Sequence, residues 1–427
     1  MRASLLIALL ILPIGAGADG MVVMPKTALA AHELGLIVND SDPLSREVAA
    51  YYRQRRSIPA QNVIHIRFLP RQPAIDPHTF QRLYETVQAD TPAHVQAFAL
   101  AWDRPYRVGC MSITSAFATG YDQRYCATER LADTPCGVTG SSPYYGSASR
   151  TPQRDFKLRP TMLLAAATPA DARRLIDRGI AADGSYPDGT AYLLSTSDAN
   201  RTVRDRNFAA IAESLGSLVR IEVLKQDSLR DRQDVLFYFT GVTQVDHLDT
   251  LGFLPGAVAD HLTSSGGHMK GPKQGGQMSS LRWLEAGATG SYGTVIEPCN
   301  FPAKFPDPDV LMAFYLRGES LIEAYWKSVA WPGEGLFIGE PLAAPFSQRH
   351  IPFAGSSVAV PLRQLRPGRY DLQASPYPVG PYRDTGRTLR VAGADGEQIV
   401  DGLERSYYRL RRSAADRTSP SVGSAAH

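Results

Sequence analysis

Short apolar runs alternating with segments of helical spacing set the rhythm of this chain. LGLIVND (34–40) is a compact apolar run of the kind a strand buried on both faces requires. Asp42-Pro43 then supplies a helix cap and a proline suited to the first helical position. Leu44, Val48 and Tyr51 follow at helical spacing, and Ile58-Pro59 ends the element. NVIHIRF (62–68) predicts a second strand, PHTFQRLYETVQAD (77–90) a second helix and VQAFALAWD (95–103) a third strand. The alternation pauses over an insertion at 104–160. It resumes with TMLLAAA (161–167), a helix opened by Thr168-Pro169, and the strand GTAYLLSTSD (189–198). NRTVRDRNFAAIAESLGSL (200–218) predicts a helix with Phe208, Ile211 and Leu215 on one face. VRIEVLK and DVLFYFTG are further strands, and SSLRWLEAG (279–287) is a helix feeding the apolar run that ends before Cys299. Strands separated by helices mean an α/β fold with a largely parallel sheet flanked by helices.

The texture changes after Phe346. VAVPLRQLRPGRYDLQAS, GRTLRV and SYYRLRR are short alternating runs broken by Pro, Gly and Asp, which predicts a small C-terminal antiparallel β domain over 347–412. Residues 413–427 are too polar and small to fold, and read as a disordered tail. At the other end, Arg2, the apolar stretch 5–14 and Ala16-Gly17-Ala18 have the three-part form of a signal peptide, residues 1–18. That stretch is too short to span a membrane, and no later one is long enough. The expectation is an exported protein, periplasmic or extracellular, with an α/β domain over 19–346.

Charge and cysteine content narrow the picture. A formal net charge of +3 over 427 residues, with RQRR (53–56) as the densest basic run, argues against nucleic acid. Four cysteines in an exported chain point to disulfides. Cys110, Cys126 and Cys136 share the insertion, and Cys299 is remote. Three connectivities are open; one pair within the insertion, plus a long-range bond from the third cysteine to Cys299, is an attractive one.

In an open parallel sheet, ligands bind beyond the carboxyl ends of the strands. The polar groups there, Asp40, Asp103, Asp198, Thr240 and Glu297, are expected to converge on one edge as binding groups, with helix capping as the competing role for Asp198. Residues 240–306 add Asp246, His247, Asp249, Asp260, His261 and His268 among many glycines. Their spacing matches no metal-ligand pattern, so no metal or other cofactor is assigned. Asp260 and His261 are the candidates for catalysis, the glycines leaving them accessible; a core histidine is the competing reading of His261. Cys299 has three readings: a nucleophile paired with His261, half of a disulfide, or a small buried side chain.

The runs NDSDPLSREVAAYYRQRRSIPAQNV, FLPGAVADHLTSSGG, QMSSLRWLEAGATGSYGTVIEPCNFPAKFPDPDVL, GESLIEAYWKSV and GLFIGEPLAAPF resemble an uncharacterised family of exported bacterial proteins, catalogued by number. More distantly, the order of elements is similar to the caspase-like fold of gingipain-type cysteine peptidases. In that fold one strand ends in His-Gly and the next in the nucleophilic Cys. Here Thr240-Gly241 stands at the first position, Asp260, His261, Thr263 and Ser264 fall near the second, and Cys299 comes one strand later. The resemblance implies the scaffold without its dyad. The resulting reading is an exported binding or structural protein with a cell-envelope or peptide partner. The alternative is a peptidase-like hydrolase using Cys299 with His261, or Asp260 and His261 with Ser264.

Overall fold

Ten strands lie side by side in one sheet, and the sheet reverses direction at its middle. In the computed structural model, which describes residues 19–70, 72–126, 137–269, 276–347, 349–378, 380–393 and 396–413, these strands are β1 (Leu34–Asn39), β2 (Val63–Ile66), β3 (Ala97–Leu100), β4 (Thr161–Leu163), β5 (Thr190–Ser195), β6 (Arg220–Lys225), β7 (Val235–Thr240), β8 (Phe253–His261), β9 (Gly290–Thr294) and β10 (Gly335–Gly339). Their order is β6-β5-β7-β8-β9-β10-β4-β3-β1-β2. Neighbours are parallel throughout, except at the central β9–β10 pair, which is antiparallel. The expected α/β fold with a largely parallel sheet is what the chain adopts.

The reversal divides the sheet into two halves of the same design. Counted outward from the join, each half reads fifth, fourth, third, first, second strand: β10-β4-β3-β1-β2 on one side and β9-β8-β7-β5-β6 on the other. That is a doubly wound order, whose switch point lies between the first and third strands. The carboxyl ends of the two halves therefore lie at opposite edges of the sheet. This corrects the expectation that the strand-end polar groups converge. Asp40 and Asp103 follow β1 and β3 at one edge, whereas Thr240 ends β7, and Asp198 and Glu297 follow β5 and β9, at the other.

Helices begin where a cap residue precedes a proline. Asp42 accepts a hydrogen bond from Leu44 N (3.0 Å) ahead of α1 (Pro43–Arg56), and Asp76 one from Thr79 N (2.9 Å) ahead of α2 (Pro77–Asp90). α3 (Ile113–Thr119) and α4 (Pro152–Phe156) lie in the insertion. α5 (Pro169–Ala182) is capped by Thr168, α8 (Pro308–Leu316) by Asp307. Between these come α6 (Phe208–Leu215) and α7 (Leu281–Ala286), and α9 (Leu321–Ser328) follows a Ser320–Glu323 capping box. The helix expected over 200–218 is confined to α6. Residues 198–207 instead turn on the Asp198 carbonyl, which accepts from Arg201 N and Thr202 N (2.9 Å each). The Asp198 carboxylate also accepts from Asn200 N (3.2 Å), a side-chain bond of the kind that competes with helical hydrogen bonding.

Consecutive strand residues point to opposite faces, and each face has its own core. Leu36, Ala99, Phe237 and Val258 pack with Tyr315, Tyr325 and Trp326. On the opposite face, Ile37, Phe98 and Leu100 join Phe80 and Phe117, and Tyr238 and Ala259 join Trp283.

The described residues divide into two units, Thr27–Ser347 and, from both chain ends, 19–26 with those from 349 to 413. The second unit is a small, mainly antiparallel sheet around Val22, Ile351, Phe353, Tyr370, Leu372 and Leu410. Its unexpected member is Gly20–Val23, which pairs antiparallel with His350–Phe353 and parallel with Tyr407–Arg412. The leader-like residues 1–18, Cys136 and the tail from 414 lie outside the described residues. Among the described residues no helix is long and apolar enough to cross a membrane.

Candidate functional site

The loop after β5 reaches the β7 and β8 ends through specific hydrogen bonds. The Thr196 hydroxyl donates to the Gly241 carbonyl (2.6 Å), and its backbone N–H donates to the Thr202 hydroxyl (3.0 Å). The chain of Arg201 thereby lies on Gly241, where a Cβ would come within 2.0 Å of the Arg201 carbonyl oxygen. Only glycine fits that approach. Glycine after Thr240 is thus explained by packing against Arg201.

Arg201 is held from two sides. Its Nη1 donates to Asp198 (2.9 Å) and its Nε to the Thr263 hydroxyl (3.3 Å), which in turn donates to Gln277 Oε1 (3.0 Å). Gln277 Oε1 also accepts from Ser265 N (2.6 Å), fixing the loop after β8. That loop presses on β9 without side chains between them: a Cβ on Gly293 would lie 2.2 Å from the Gly266 carbonyl carbon. The glycines of SSGG and GSYG are there for close backbone approach.

These loops enclose a cleft of about 320 Å³, lined by Asn200, Arg201, Thr263, Ser264, Glu297 and Asn300, with Leu262 and Phe305 as apolar surface. It sits beyond the carboxyl ends of β5, β8 and β9, beside the switch point of that half. Glu297 is exposed, and its Oε1 accepts the Cys299 N–H (2.8 Å), holding a turn in which Cys299 has φ +52°.

Asp260 and His261 are placed otherwise than expected: each is only 1 % exposed. Adjacent in β8, they point to opposite faces and form no pair. Asp260 sits 2.6 Å from Arg204 Nη2 in an ion pair that lacks hydrogen-bond alignment. Burial pushes its carboxyl above the usual range, and Arg204 pulls it back. Arg204 donates to the Thr240 carbonyl (2.8 Å) and the Pro306 carbonyl (3.1 Å). His261 donates from Nε2 to the Met278 carbonyl (3.1 Å) and accepts the Trp283 indole N–H at Nδ1 (3.0 Å). Both ring nitrogens are therefore occupied in a single neutral tautomer. Burial lowers its pKa from 6.5 to about 4, against the opposing effect of the Met278 carbonyl.

A pH dependence follows. The folded chain keeps His261 neutral, so below about pH 6.5 the unfolded chain binds the extra proton. The stability this residue contributes is complete above that pH and is lost as pH falls towards about 4. In urea unfolding, the advantage of the native protein over His261→Gln should shrink by roughly 3 kcal/mol across that window. A pH-independent difference would contradict the assignment.

Cys110 is bonded to Cys126, and Cys299 is disulfide-bonded too. No described cysteine is a free thiol. A bonded sulfur is not a thiolate, so Cys299 in this state offers no nucleophile. At the other edge, Asp40 contacts His65 (2.8 Å) and Arg67 (3.6 Å), while Asp103 is buried 3.8 Å from Arg104. Asp246 and Asp249 are exposed, and His247 accepts from Arg230 (2.9 Å). Among the described residues no group of three or more His, Cys, Asp and Glu side chains could hold a metal ion.

The structure thus brings Glu297, Ser264 and Cys299 to one cleft and leaves Asp260 and His261 beneath it. Arg201 and Asn200, which the helical reading of 200–218 absorbed, join them. Their signal was an Asn-Arg pair directly after a strand end at a switch point.

No family model matches this chain, and no curated protein matches it. A solved structure described as "Structure of Protease" aligns over 91 % of this chain and 98 % of its own, with a TM-score of 0.40 and 9 % identity. Likeness at that level supports no argument about activity.

Proposed function

We propose that this is an exported binding protein that takes its ligand in the cleft beyond β5, β8 and β9, on a peptidase-like α/β scaffold without peptidase chemistry. One observation carries the reading. Where a base would be needed, His261 is buried with both nitrogens already hydrogen-bonded, and so cannot take a proton from Ser264 or a thiol. The disulfide on Cys299 supports the same reading. Export is supported by the leader-like residues 1–18 and by the disulfides.

Two measurements test this. Serine- and thiol-directed covalent probes should leave the unreduced protein unlabelled, and a panel of peptide and ester substrates should not be turned over. Turnover abolished by Ser264→Ala, or rapid alkylation of Cys299 without reduction, would establish the hydrolase instead. Cys299→Ser should lower stability by about 2–4 kcal/mol through loss of a cross-link. Unchanged unfolding in that variant would mean that the bond is not structural.

A further inference from the structure

The charges lining the cleft define what it can hold. Arg201 brings one positive charge and Glu297 one negative charge. They are not joined in an ion pair among the described residues; the carboxylate partner of Arg201 is Asp198. Each keeps capacity to spare. Arg201 uses Nη1 on Asp198 and Nε on Thr263, leaving Nη2 without a protein partner among the described residues. Its side chain is 23 % exposed. Glu297 uses Oε1 on the Cys299 N–H, and Oε2 has no described partner.

A cleft lined by one charge of each sign, its arginine already paired with Asp198, disfavours a dianion such as a phosphate monoester, which Glu297 and Asp198 would repel. It favours a ligand carrying a carboxylate and an ammonium. Asn200 and Asn300 offer amide donors and acceptors, and Ser264 a hydroxyl, which match backbone amides. Leu262 and Phe305 supply apolar surface for a side chain. At about 320 Å³ the cleft is at the small end of ligand sites.

We infer that the cleft binds short free peptides by their charged termini, the carboxylate at Arg201 and the ammonium at Glu297. This rests on the binding-protein reading above and adds the ligand class to it. Arg201 is fixed before the ligand arrives, because Asp198, Thr263 and the close contact with Gly241 already position it. Such pre-organisation lowers the cost of binding.

The test is calorimetric titration of the full exported protein with trialanine and with Ala-Phe-Ala, each as the free peptide, the C-terminal amide and the N-acetyl form. At least one free tripeptide should bind, and blocking either terminus should weaken it by about tenfold or more, the loss expected for a hydrogen-bonded charge. Arg201→Gln should erase the difference between acid and amide and keep that between amine and acetyl. Glu297→Gln should do the reverse. Thermal unfolding of both variants checks that they are folded, and Arg201→Lys, which keeps the charge, should retain part of the preference for the acid. Equal binding of all forms, no binding of either free peptide, or loss of both preferences in a folded Arg201→Gln would overturn the inference. Mass spectrometry of the titrated peptides separates the two levels: cleavage would refute the binding-protein reading itself, whereas intact peptides bound without regard to their termini would refute only the ligand class.

Discussion

Arg204→Ala is expected to destabilise the α/β unit by about 3–5 kcal/mol, the usual result of removing one partner of a buried ion pair. Arg204 and Asp260 have side-chain exposures of 5 % and 2 %. The guanidinium also donates to the Thr240 and Pro306 carbonyls and lies 5.7 Å from the centre of the Phe239 ring. Alanine would leave Asp260 without its cationic partner and the Pro306 carbonyl without its donor, while the Thr240 carbonyl keeps the Leu262 N–H (3.0 Å). The carboxyl would then take up a proton to avoid an uncompensated charge. Asp260→Asn should cost less, because the arginine keeps both carbonyl partners. The pair Arg204→Met with Asp260→Leu should recover much of the loss, since apolar replacements of buried ion pairs are frequently well tolerated. Urea unfolding followed by circular dichroism gives all three values. A loss under about 1 kcal/mol for Arg204→Ala would show that the pair is hydrated.

A loss of similar size, about 3–5 kcal/mol, is expected for Glu340→Ala, from stripping the buried Arg56 of one of its two carboxylate partners and Tyr52 of its acceptor. Glu340 follows β10 and is fully buried. Its Oε1 accepts from the Tyr52 hydroxyl (2.6 Å) and from Arg56 Nε (3.0 Å), and its Oε2 pairs with Arg56 Nη2. Gly179 of α5 packs directly on this carboxylate, where a Cβ would come within 2.5 Å. One side chain therefore ties α1, α5 and the end of β10 together. Asp183 also pairs with Arg56, so Glu340→Gln, which preserves the shape, should lose less than the alanine variant. If glutamine costs almost nothing while alanine costs the full amount, shape rather than charge pairing dominates, and the ion-pair account fails.

These two clusters show what the sequence could and could not disclose. Strand positions were legible because β1, β3 and β7 are buried on both faces and are almost continuously apolar. Helix starts were legible because Asp-Pro and Thr-Pro act through a local hydrogen bond and a fixed φ. Strand direction has no local signature, so the reversal between β9 and β10 was invisible. With it went the separation of Asp40 and Asp103 from Asp198, Thr240 and Glu297. Exposure was equally hidden. Asp260 and His261 sit among polar and glycine residues in sequence, yet the glycines serve backbone contact, and Arg204 and Trp283 bury the two side chains. YYRQRR, read as a helical segment with a basic run, and GEPLAAPF, read as a marker of resemblance, meet in the structure as Tyr52, Arg56 and Glu340.

The strand order has a consequence for how the chain is made. The half built from β1 to β4 receives its fifth strand only from Gly335–Gly339, after the whole of the other half has been synthesised. The small sheet likewise joins Gly20–Val23 to Tyr407–Arg412, almost the full length of the chain apart. Contacts of such high sequence separation form late and slowly, because the loop must be closed before they return any stability. Neither the first half-sheet nor the small sheet can be completed while the carboxyl-terminal part is still to be synthesised. The nascent chain therefore keeps unpaired strand edges until its last hundred residues appear. A protein arranged in this way cannot close either sheet until its synthesis is nearly finished.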